Sequence, residues 1–186
     1  MKRIFDIVLA LGLLVLLSIP ILVIAILIKL TSKGPVIFWT DRVGVDNRIF
    51  KMAKFRTMRL DAPQVATHLM TNHDDYVTPV GRTLRKYSLD EIPQLFNILK
   101  ADMTFVGPRP ALFNQHDLID LRTKKGIHKL TPGVTGWAQI NGRDNLPIPV
   151  KVEFDGYYLK NRSFSLDLKI MFMTLVKAIR GEDVQH

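Results

Sequence analysis

The chain has 186 residues, no cysteine and a formal net charge of +9 at pH 7. This length suits one domain with its own hydrophobic core, and the lack of cysteine excludes disulfides, thiolate metal sites and a cysteine nucleophile. The positive charge predicts an anionic partner, but charge alone does not choose between nucleic acid, acidic lipid headgroups and a phosphorylated substrate.

The first thirty residues form the most apolar segment. Residues 7–28 carry no charged side chain, and a straight helix of that length would cover roughly 33 Å, about the thickness of a bilayer core. Ser18 and Pro20 interrupt it near the middle. Basic residues flank both ends, namely Lys2, Arg3, Lys29 and Lys33. By the positive-inside rule both ends favour the cytoplasm, so we predict a re-entrant membrane helix over residues 1–32, broken near Pro20, with a proline-kinked single span as the alternative.

From residue 33 onward the sequence has a mixed α/β pattern. Residues 36–39 and 48–55 are rich in β-branched and aromatic side chains, and the turn at 45–47 predicts a hairpin between them. Residues 60–77 are polar and aperiodic, which predicts a loop with some helix. Its His68 and His73 are five positions apart, a poor spacing for zinc ligands on one element.

Two adjacent carboxylates, Asp90 and Glu91, follow a basic run and precede Pro93. Because proline is tolerated in the first turn of a helix, we predict a helix that starts near Asp90. The residues predicted on its apolar face are Ile92, Leu95, Phe96 and Leu99. Two interpretations stay open for the carboxylates: helix capping, with Ser88 and Glu91 imitating a capping box, or chemistry.

Two later segments could present groups to an anion. Arg109 lies between Pro108 and Pro110, and the stiff backbone would hold its guanidinium ready for a phosphate or a nucleobase carbonyl, with a rigid turn as the alternative. Residues 131–143 contain glycines and end at Arg143 in a predicted loop, strand and loop. Glycine backbone could approach an anion there, or could serve close-packed turns.

The last third of the chain is predicted to be helical. Residues 111–125 suggest a surface helix with a basic end, and residues 149–160 a short helix that carries Asp155. Asp155 could orient an arginine or a metal-bound water, or could simply face solvent. Residues 165–180 form an amphipathic helix that could pack on the core or lie on a membrane surface.

Four blocks in order, together with the interrupted apolar segment, resemble the bacterial sugar transferase family of small monotopic phosphoglycosyl transferases. The blocks are residues 54–58, 88–94, 102–110 and 132–139. The resemblance covers nearly the whole chain. The chain resembles the minimal form of the family, such as the diacetylbacillosamine-1-phosphate transferases. It departs from the family pattern at Ser18-Ile19-Pro20, where Ser-Pro is usual, and at Asp41 and Asn47 in the hairpin.

The resemblance implies an α-rich α/β fold, with a compact cytoplasmic catalytic domain over residues 33–186. It also implies a two-step reaction in which Asp90 is the nucleophile and Glu91 is a ligand to Mg²⁺. By the same resemblance further residues would contact substrate or its phosphates, and these are Lys54, Arg85, Pro108, Arg109, Pro110, Arg143 and Asp155. This assignment is chemically consistent, because a carboxylate attacks a pyrophosphate only when positive charge removes the repulsion between them.

The implied partners are a UDP-sugar, undecaprenyl phosphate and membrane lipids. Later glycosyltransferases and a second copy of the chain are further candidates. No nucleic acid is expected to bind. The implied location is the bacterial inner membrane, monotopic, with the catalytic domain on the cytoplasmic face. The alternative is a membrane-anchored protein without catalysis, which would bind anions or act as a scaffold and would not depend on Asp90 or Glu91.

Overall fold

A computed structural model of the chain describes residues 2–62, 73–142 and 146–180. The expectations for His68 and Arg143 therefore lie outside the described residues. The helices are α1 Lys2–Leu16, α2 Ser18–Thr31, α3 His73–Tyr76, α4 Pro79–Lys86, α5 Gln94–Leu99, α6 His116–Lys124, α7 Trp137–Ile140, α8 Ile148–Asn161 and α9 Phe164–Arg180. The strands are β1 Ile37–Val43, β2 Ile49–Phe55, β3 Thr104–Val106 and β4 Gly133–Thr135. The architecture is helix-rich with small sheets, in agreement with the predicted α/β class.

The N-terminal helices form a bent pair. α1 and α2 meet at an angle of 62°, with the break at Leu17, three residues before Pro20. Pro20 lies in the first turn of α2, where its missing N–H is not needed, and Ser18 Oγ donates to Val15 O at 2.8 Å. Among the described residues no single helix is both long and apolar enough to cross a membrane; α1 and α2 meet that criterion only together.

One side of this pair is exposed and the other is built into the protein. Large aliphatic side chains face outward along both helices, including Ile4, Val8, Val15, Leu16, Ile19, Leu22 and Leu30. On the opposite side Ala10 and Asp6 are buried, and α1 packs on α5 and β3 while α2 packs on α4. α1 therefore shares the hydrophobic core of the rest of the chain. The boundary between residues 32 and 33 stays a prediction.

Two small sheets support the fold. β1 and β2 form the predicted antiparallel hairpin, with Ile37 opposite Phe55 and Val43 opposite Ile49. β3 and β4 pair in parallel, and their backbones approach very closely: a Cβ on Gly133 would lie 2.1 Å from the backbone nitrogen of Gly107. This contact supports the close-packed interpretation of the glycines.

The main core lies between α1, α5, the two sheets, α8 and α9. Its most deeply buried side chains are Ala10, Ile98, Met103, Val106, Ile127, Val152 and Ile170. A smaller apolar cluster joins α2 to the hairpin and α4, and consists of Ile24, Ile28, Phe55 and Leu84. Together the two clusters fix β2, α5 and β3, the elements next to the predicted site.

The structure corrects the predicted start of the helix near Asp90. α5 begins at Gln94, and Asp90 and Glu91 lie before it in a separate 3₁₀ turn, Leu89–Glu91. Ser88 enters this turn with a left-handed backbone, φ 53°. The capping interpretation of Asp90 is wrong, because α5 starts four residues later and its N-cap position is occupied by Pro93, which makes no capping hydrogen bond.

The buried face of α5 also differs from the predicted one. Leu95 is buried as expected, but Phe96 is 51% exposed and Ile98 is fully buried in its place. α5 packs on both α1 and β2, and its buried face also contains Gln94 and Asn97. Similarly, a short helix, α7, follows β4 where a loop is predicted.

Of the C-terminal helices, α8 and α9 follow the predicted bounds within one residue at each end. α6 is shorter than expected, and Arg122 in its last turn is buried rather than exposed. In α9 the apolar residues Leu168, Phe172 and Leu175 are exposed. That face therefore does not pack on the core, and contact with a membrane surface remains the open interpretation.

Candidate functional site

The two adjacent carboxylates share one ammonium group. Lys54, on β2, donates from Nζ to Glu91 Oε1 at 2.8 Å and to Asp90 Oδ2 at 3.2 Å. Arg109 Nη2 donates to the same Glu91 oxygen at 3.0 Å. The side chains of Asp90 and Glu91 are only 9% and 10% exposed. Three separate elements thus bring two acids and two bases together in a largely desolvated cluster.

Glu91 is held in its ionised form by its neighbours. Burial alone would raise the pKa of its carboxyl, but Arg109 and Lys54, by charge and by hydrogen bonds, hold that pKa well below its usual range. Glu91 is therefore a carboxylate at any physiological pH. A permanently charged carboxylate suits a residue that binds cations, and it is unsuited to donate a proton.

Arg85 lies beside this cluster, at the end of α4. Its Nε donates to Thr57 Oγ1 at 2.9 Å. Burial lowers the pKa of the Arg85 guanidinium, and the charge of nearby Asp90 partly restores it. α4 approaches the strand exit closely at Gly81, where a Cβ would lie 2.0 Å from Thr57 O. This close packing brings the cation of Arg85 to the Asp90 side of the site.

Asn97 fixes the acidic turn relative to Lys54. It is 2% exposed, donates from Nδ2 to Lys51 O at 2.7 Å and accepts from Ala53 N at 3.0 Å. One amide therefore bonds the backbone of β2 on both sides of residue 52, next to Lys54. Since buried hydrogen-bonded amides restrict the geometry of their partners, Asn97 sets the distance from β2 to α5.

A second buried network positions Arg109 from behind. Arg122 donates from Nε and Nη2 to Asp155 Oδ2, at 3.0 and 2.6 Å, and from Nη1 to Arg109 O at 2.8 Å. Burial raises the pKa of the Asp155 carboxyl, and the charge of Arg122 offsets part of that rise. Asp155 is 1% exposed, so the solvent-facing alternative is wrong. Within the described residues, hydrogen bonds connect Asp155 to Glu91 through Arg122 and Arg109.

The prolines beside Arg109 are held by their carbonyl groups. Pro108 O accepts from Gly133 N at 2.9 Å, and Pro110 O accepts from Arg42 Nη1 at 3.2 Å. The segment is therefore bonded to β4 on one side and to β1 on the other. The two prolines thus hold the backbone on either side of Arg109, and the Arg109 side chain extends from this segment to Glu91.

One residue of the cluster, Glu91, could hold a magnesium ion if a phosphorylated ligand supplied the other oxygen ligands. Within the described ranges no group of three or more His, Cys, Asp and Glu side chains forms a complete metal site. Mg²⁺, however, commonly takes only one or two protein carboxylates and fills its shell with phosphate oxygens and water. The hydrogen bonds of Glu91 fall on Oε1, so Oε2 is the atom of that side chain suited to a cation.

Sequence reasoning missed Asn97 and Arg122, the residues that set the geometry. Asn97 stands in an otherwise apolar stretch between Leu95 and Ile98, and a polar residue in such a place is a usable signal of a buried hydrogen bond. Arg122 gives no such signal, because it lies among charged residues typical of an exposed helix end.

Comparison with known proteins places the chain in a family. The family model described as bacterial sugar transferase matches residues 1–181. The chain is 41% identical over 188 residues to the uncharacterized sugar transferase EpsL of Bacillus subtilis (strain 168), covering 100% of this chain and 91% of the relative. It is 42% identical over 186 residues to the UDP-glucose:undecaprenyl-phosphate glucose-1-phosphate transferase of Escherichia coli (strain K12), covering 95% and 40% of the two chains.

A third relative is the UDP-N-acetylgalactosamine-undecaprenyl-phosphate N-acetylgalactosaminephosphotransferase of Aeromonas hydrophila, 40% identical over 185 residues, with 97% of this chain and 44% of the relative covered. The chain thus spans less than half the length of these last two relatives. Its match to the family model extends over almost all of its residues. The chain belongs to the bacterial sugar transferase family.

Proposed function

We propose that this chain transfers a sugar-1-phosphate from a UDP-sugar to undecaprenyl phosphate. Two relatives are named for that reaction, with different sugars. The observation that carries the proposal is the contact of Lys54 with both Asp90 and Glu91, braced by Arg109. A helix cap needs no such cluster, whereas attack on a diphosphate needs a carboxylate surrounded by positive charge.

The proposed first step makes Asp90 the nucleophile. A carboxylate oxygen of Asp90 bonds to the phosphorus that carries the sugar, while the bond from that phosphorus to the bridging oxygen breaks and UMP leaves with the electron pair. In the second step an oxygen of undecaprenyl phosphate attacks the same phosphorus, and the Asp90 carboxylate is restored. Splitting the transfer in this way lets a soluble donor and a lipid acceptor use one small site in turn.

The neighbouring cations act on the negative charge of the donor. Lys54 and Arg109 lie within hydrogen-bond distance of Glu91, and we assign them, with Arg85, to the phosphate oxygens of the bound donor. Pro108 and Pro110 hold Arg109 towards the nucleotide, and Asp155 holds it through Arg122. Arg143 stays a predicted phosphate contact.

Glu91 is the residue we assign to Mg²⁺, with Asp90 beside it. When bound, the ion would neutralise charge on the diphosphate and make the leaving phosphate a better leaving group. Glu91 suits this role because its neighbours keep it ionised. Removing the ion with EDTA is expected to abolish turnover, and adding back Mg²⁺ is expected to restore it.

The membrane placement is part of the proposal. The exposed aliphatic face of α1 and α2 and the exposed apolar face of α9 support a monotopic, re-entrant protein that meets its lipid acceptor at the bilayer surface. Because the chain has no cysteine, a cysteine in an N-terminal extension and Lys33→Cys can be labelled without background. We expect both to react only from the cytoplasmic side; labelling of one from outside would show a span.

The test of the chemistry is a pair of variants at two adjacent positions. Purified full chain is incubated with radiolabelled UDP-glucose and UDP-N-acetylgalactosamine, Mg²⁺ and undecaprenyl phosphate, and lipid product, UMP and protein-bound label are measured. Asp90→Asn keeps size and hydrogen bonding but loses the nucleophile, so we expect at least a 10³-fold loss of product with unchanged melting. Glu91→Gln serves as the matched control and should retain Asp90-bound label at a reduced rate.

Full activity of Asp90→Asn would refute the enzyme proposal. It would favour the alternative, a membrane-anchored scaffold or anion-binding protein. Mass spectrometry of wild-type protein quenched during turnover adds a direct observation, since the proposal requires a phosphosugar mass on the peptide that contains residue 90.

A further inference from the structure

The first turn of α1 is bonded to the strand that leads to Arg109. Lys2 Nζ donates to Val106 O at 2.7 Å, and Val106 is the last residue of β3, three positions before Arg109. The same ammonium contacts Tyr158 Oη at 2.9 Å and Asp167 Oδ2 at 2.8 Å. Lys2 thus connects β3 to α8 and α9.

The next residue is bonded to the helix that follows the acidic turn. Arg3 donates from Nη1 to Ile98 O at 2.5 Å and from Nη2 to Leu99 O at 2.9 Å. These carbonyls lie at the C-terminal end of α5, where a cation also complements the helix dipole. Arg3 therefore fixes the far end of the short helix that begins three residues after Glu91.

A third charged side chain of α1 reinforces the contact with β3. Asp6 is 3% exposed and accepts from Thr104 Oγ1 at 2.7 Å and from Phe105 N at 3.4 Å. β3 has three residues and α5 has six, so neither has enough hydrogen bonds of its own to fix its position. Their placement depends on the groups that bond their ends.

We propose that Lys2 and Arg3 are positioning residues of the active site, which align Arg109 and the Asp90–Glu91 turn with each other across α1. The proposal rests on the function proposed above and extends it. Under this proposal Lys2 and Arg3 do more than contact lipid or supply positive charge. The first turn of α1 is then a structural part of the catalytic centre.

Lys29 offers the matched control. It carries the same charge near the other end of the helix pair and is exposed, and its side chain makes no hydrogen bond or ion pair within the ranges that the structure describes. If basic residues act only on lipid headgroups, Lys29 and Lys2 should be equivalent. If Lys2 and Arg3 act by position, only their loss should affect the first step.

The experiment isolates that step from the lipid acceptor. Full-length wild type, Lys2→Met, Arg3→Met and Lys29→Met are assayed in detergent micelles for UMP release and protein-bound label from UDP-glucose and UDP-N-acetylgalactosamine, without undecaprenyl phosphate. Since a displacement of about 1 Å can cost about 10²-fold in rate, we expect Arg3→Met to lower the maximal rate by tenfold or more, with the KM of the donor within about threefold.

Lys2→Met is expected to give a different kinetic signature. It displaces the segment of Arg109, so the KM of the donor should rise by about fivefold or more, whereas Lys29→Met should match wild type in both constants. General destabilisation would lower the apparent maximal rate and leave the KM unchanged, so each rate is divided by the folded fraction, measured by tryptophan fluorescence, before the variants are compared. Arg3→Lys, which keeps the charge but can fill only one of two bonds, should slow the first step by about threefold or more.

Several outcomes overturn the proposal. Wild-type constants in folded Lys2→Met and Arg3→Met would do so, as would an equal loss in Lys29→Met, which would assign the effect to charge at the membrane. If Arg3→Met does not fold, a wild-type rate in Arg3→Lys would have the same force. Failure of wild type to release UMP or take up label would instead refute the proposed function, and this inference with it.

Discussion

Replacement of Arg122 by methionine tests whether the buried network behind Arg109 is a real determinant of stability. The change leaves Asp155 in the protein interior without the guanidinium that contacts it at 2.6 and 3.0 Å. The side chains of the pair are 9% and 2% exposed, so water does not replace the lost partner. Removing one member of a buried pair typically costs about 3–5 kcal/mol.

We expect Arg122→Met to lower the free energy of unfolding by about 3 kcal/mol, the lower end of that range. The reason is that the charge of Lys151 still lowers the pKa of Asp155. For a chain of this length that loss corresponds to a fall in melting temperature of roughly 6–12 °C. The double variant Arg122→Met/Asp155→Leu should be more stable than the single one, since it removes the unpaired charge.

The stability of the Arg122→Met variant should depend on pH, and the direction follows from the pKa of Asp155. Burial raises the pKa of Asp155 in the folded protein, and loss of Arg122 raises it further, so the folded variant binds more protons than the unfolded chain. Its stability therefore falls as the pH rises above the ordinary Asp value of about 3.9. The difference from wild type should be full at neutral pH and should shrink towards pH 4.

Urea unfolding in detergent, followed by tryptophan fluorescence between pH 4 and 8, measures both effects. A single variant within about 0.5 kcal/mol of wild type, with no pH dependence, would refute the reasoning. So would a double variant less stable than the single one, because the penalty would then not come from the unpaired carboxylate.

Three further predictions follow from the same contacts. Lys54→Met should lower the rate of transfer by about 10²-fold or more, since it removes the ammonium shared by the two acidic side chains; steady-state assays with and without excess Mg²⁺ check this. Asn97→Leu leaves the buried Ala53 N–H without its acceptor and should cost about 1–3 kcal/mol, read from urea unfolding; an unchanged midpoint would contradict it. Gly133→Ala places a Cβ 2.1 Å from Gly107 N and should destabilise the protein by more than about 2 kcal/mol. Gly12→Ala is the control for packing, because nothing lies within 4 Å of the added Cβ.

The sequence was most informative where a single residue type limits the backbone. Pro20 indicated a broken helix, and the structure has a 62° bend three residues earlier. The alternation of residues 48–55 and the turn before them predicted the hairpin, which the register confirms. In each case the signal is local, because proline geometry and strand alternation act over a few residues.

Sequence reasoning failed where a side chain is specified by partners far along the chain. Asp90 resembles a helix cap by its neighbours, yet it lies in a separate turn after the left-handed Ser88 and accepts a hydrogen bond from Lys54, 36 positions away. Arg122 resembles an exposed residue, yet it is buried against Asp155, 33 positions away. Local propensity cannot reveal such pairings, since the partner decides the burial.

The sequence by itself determined the family, the candidate acidic pair, the hairpin and an apolar N-terminal helix interrupted near its middle. Only the tertiary structure decided how β2, α5 and β3 meet, so that Lys54, Glu91 and Arg109 form one cluster. Only the structure, too, made the first turn of α1 part of that arrangement through Lys2 and Arg3. The physical reason is that hydrogen bonds and ion pairs act over a few ångströms, and the fold alone brings residues about a hundred positions apart to that distance.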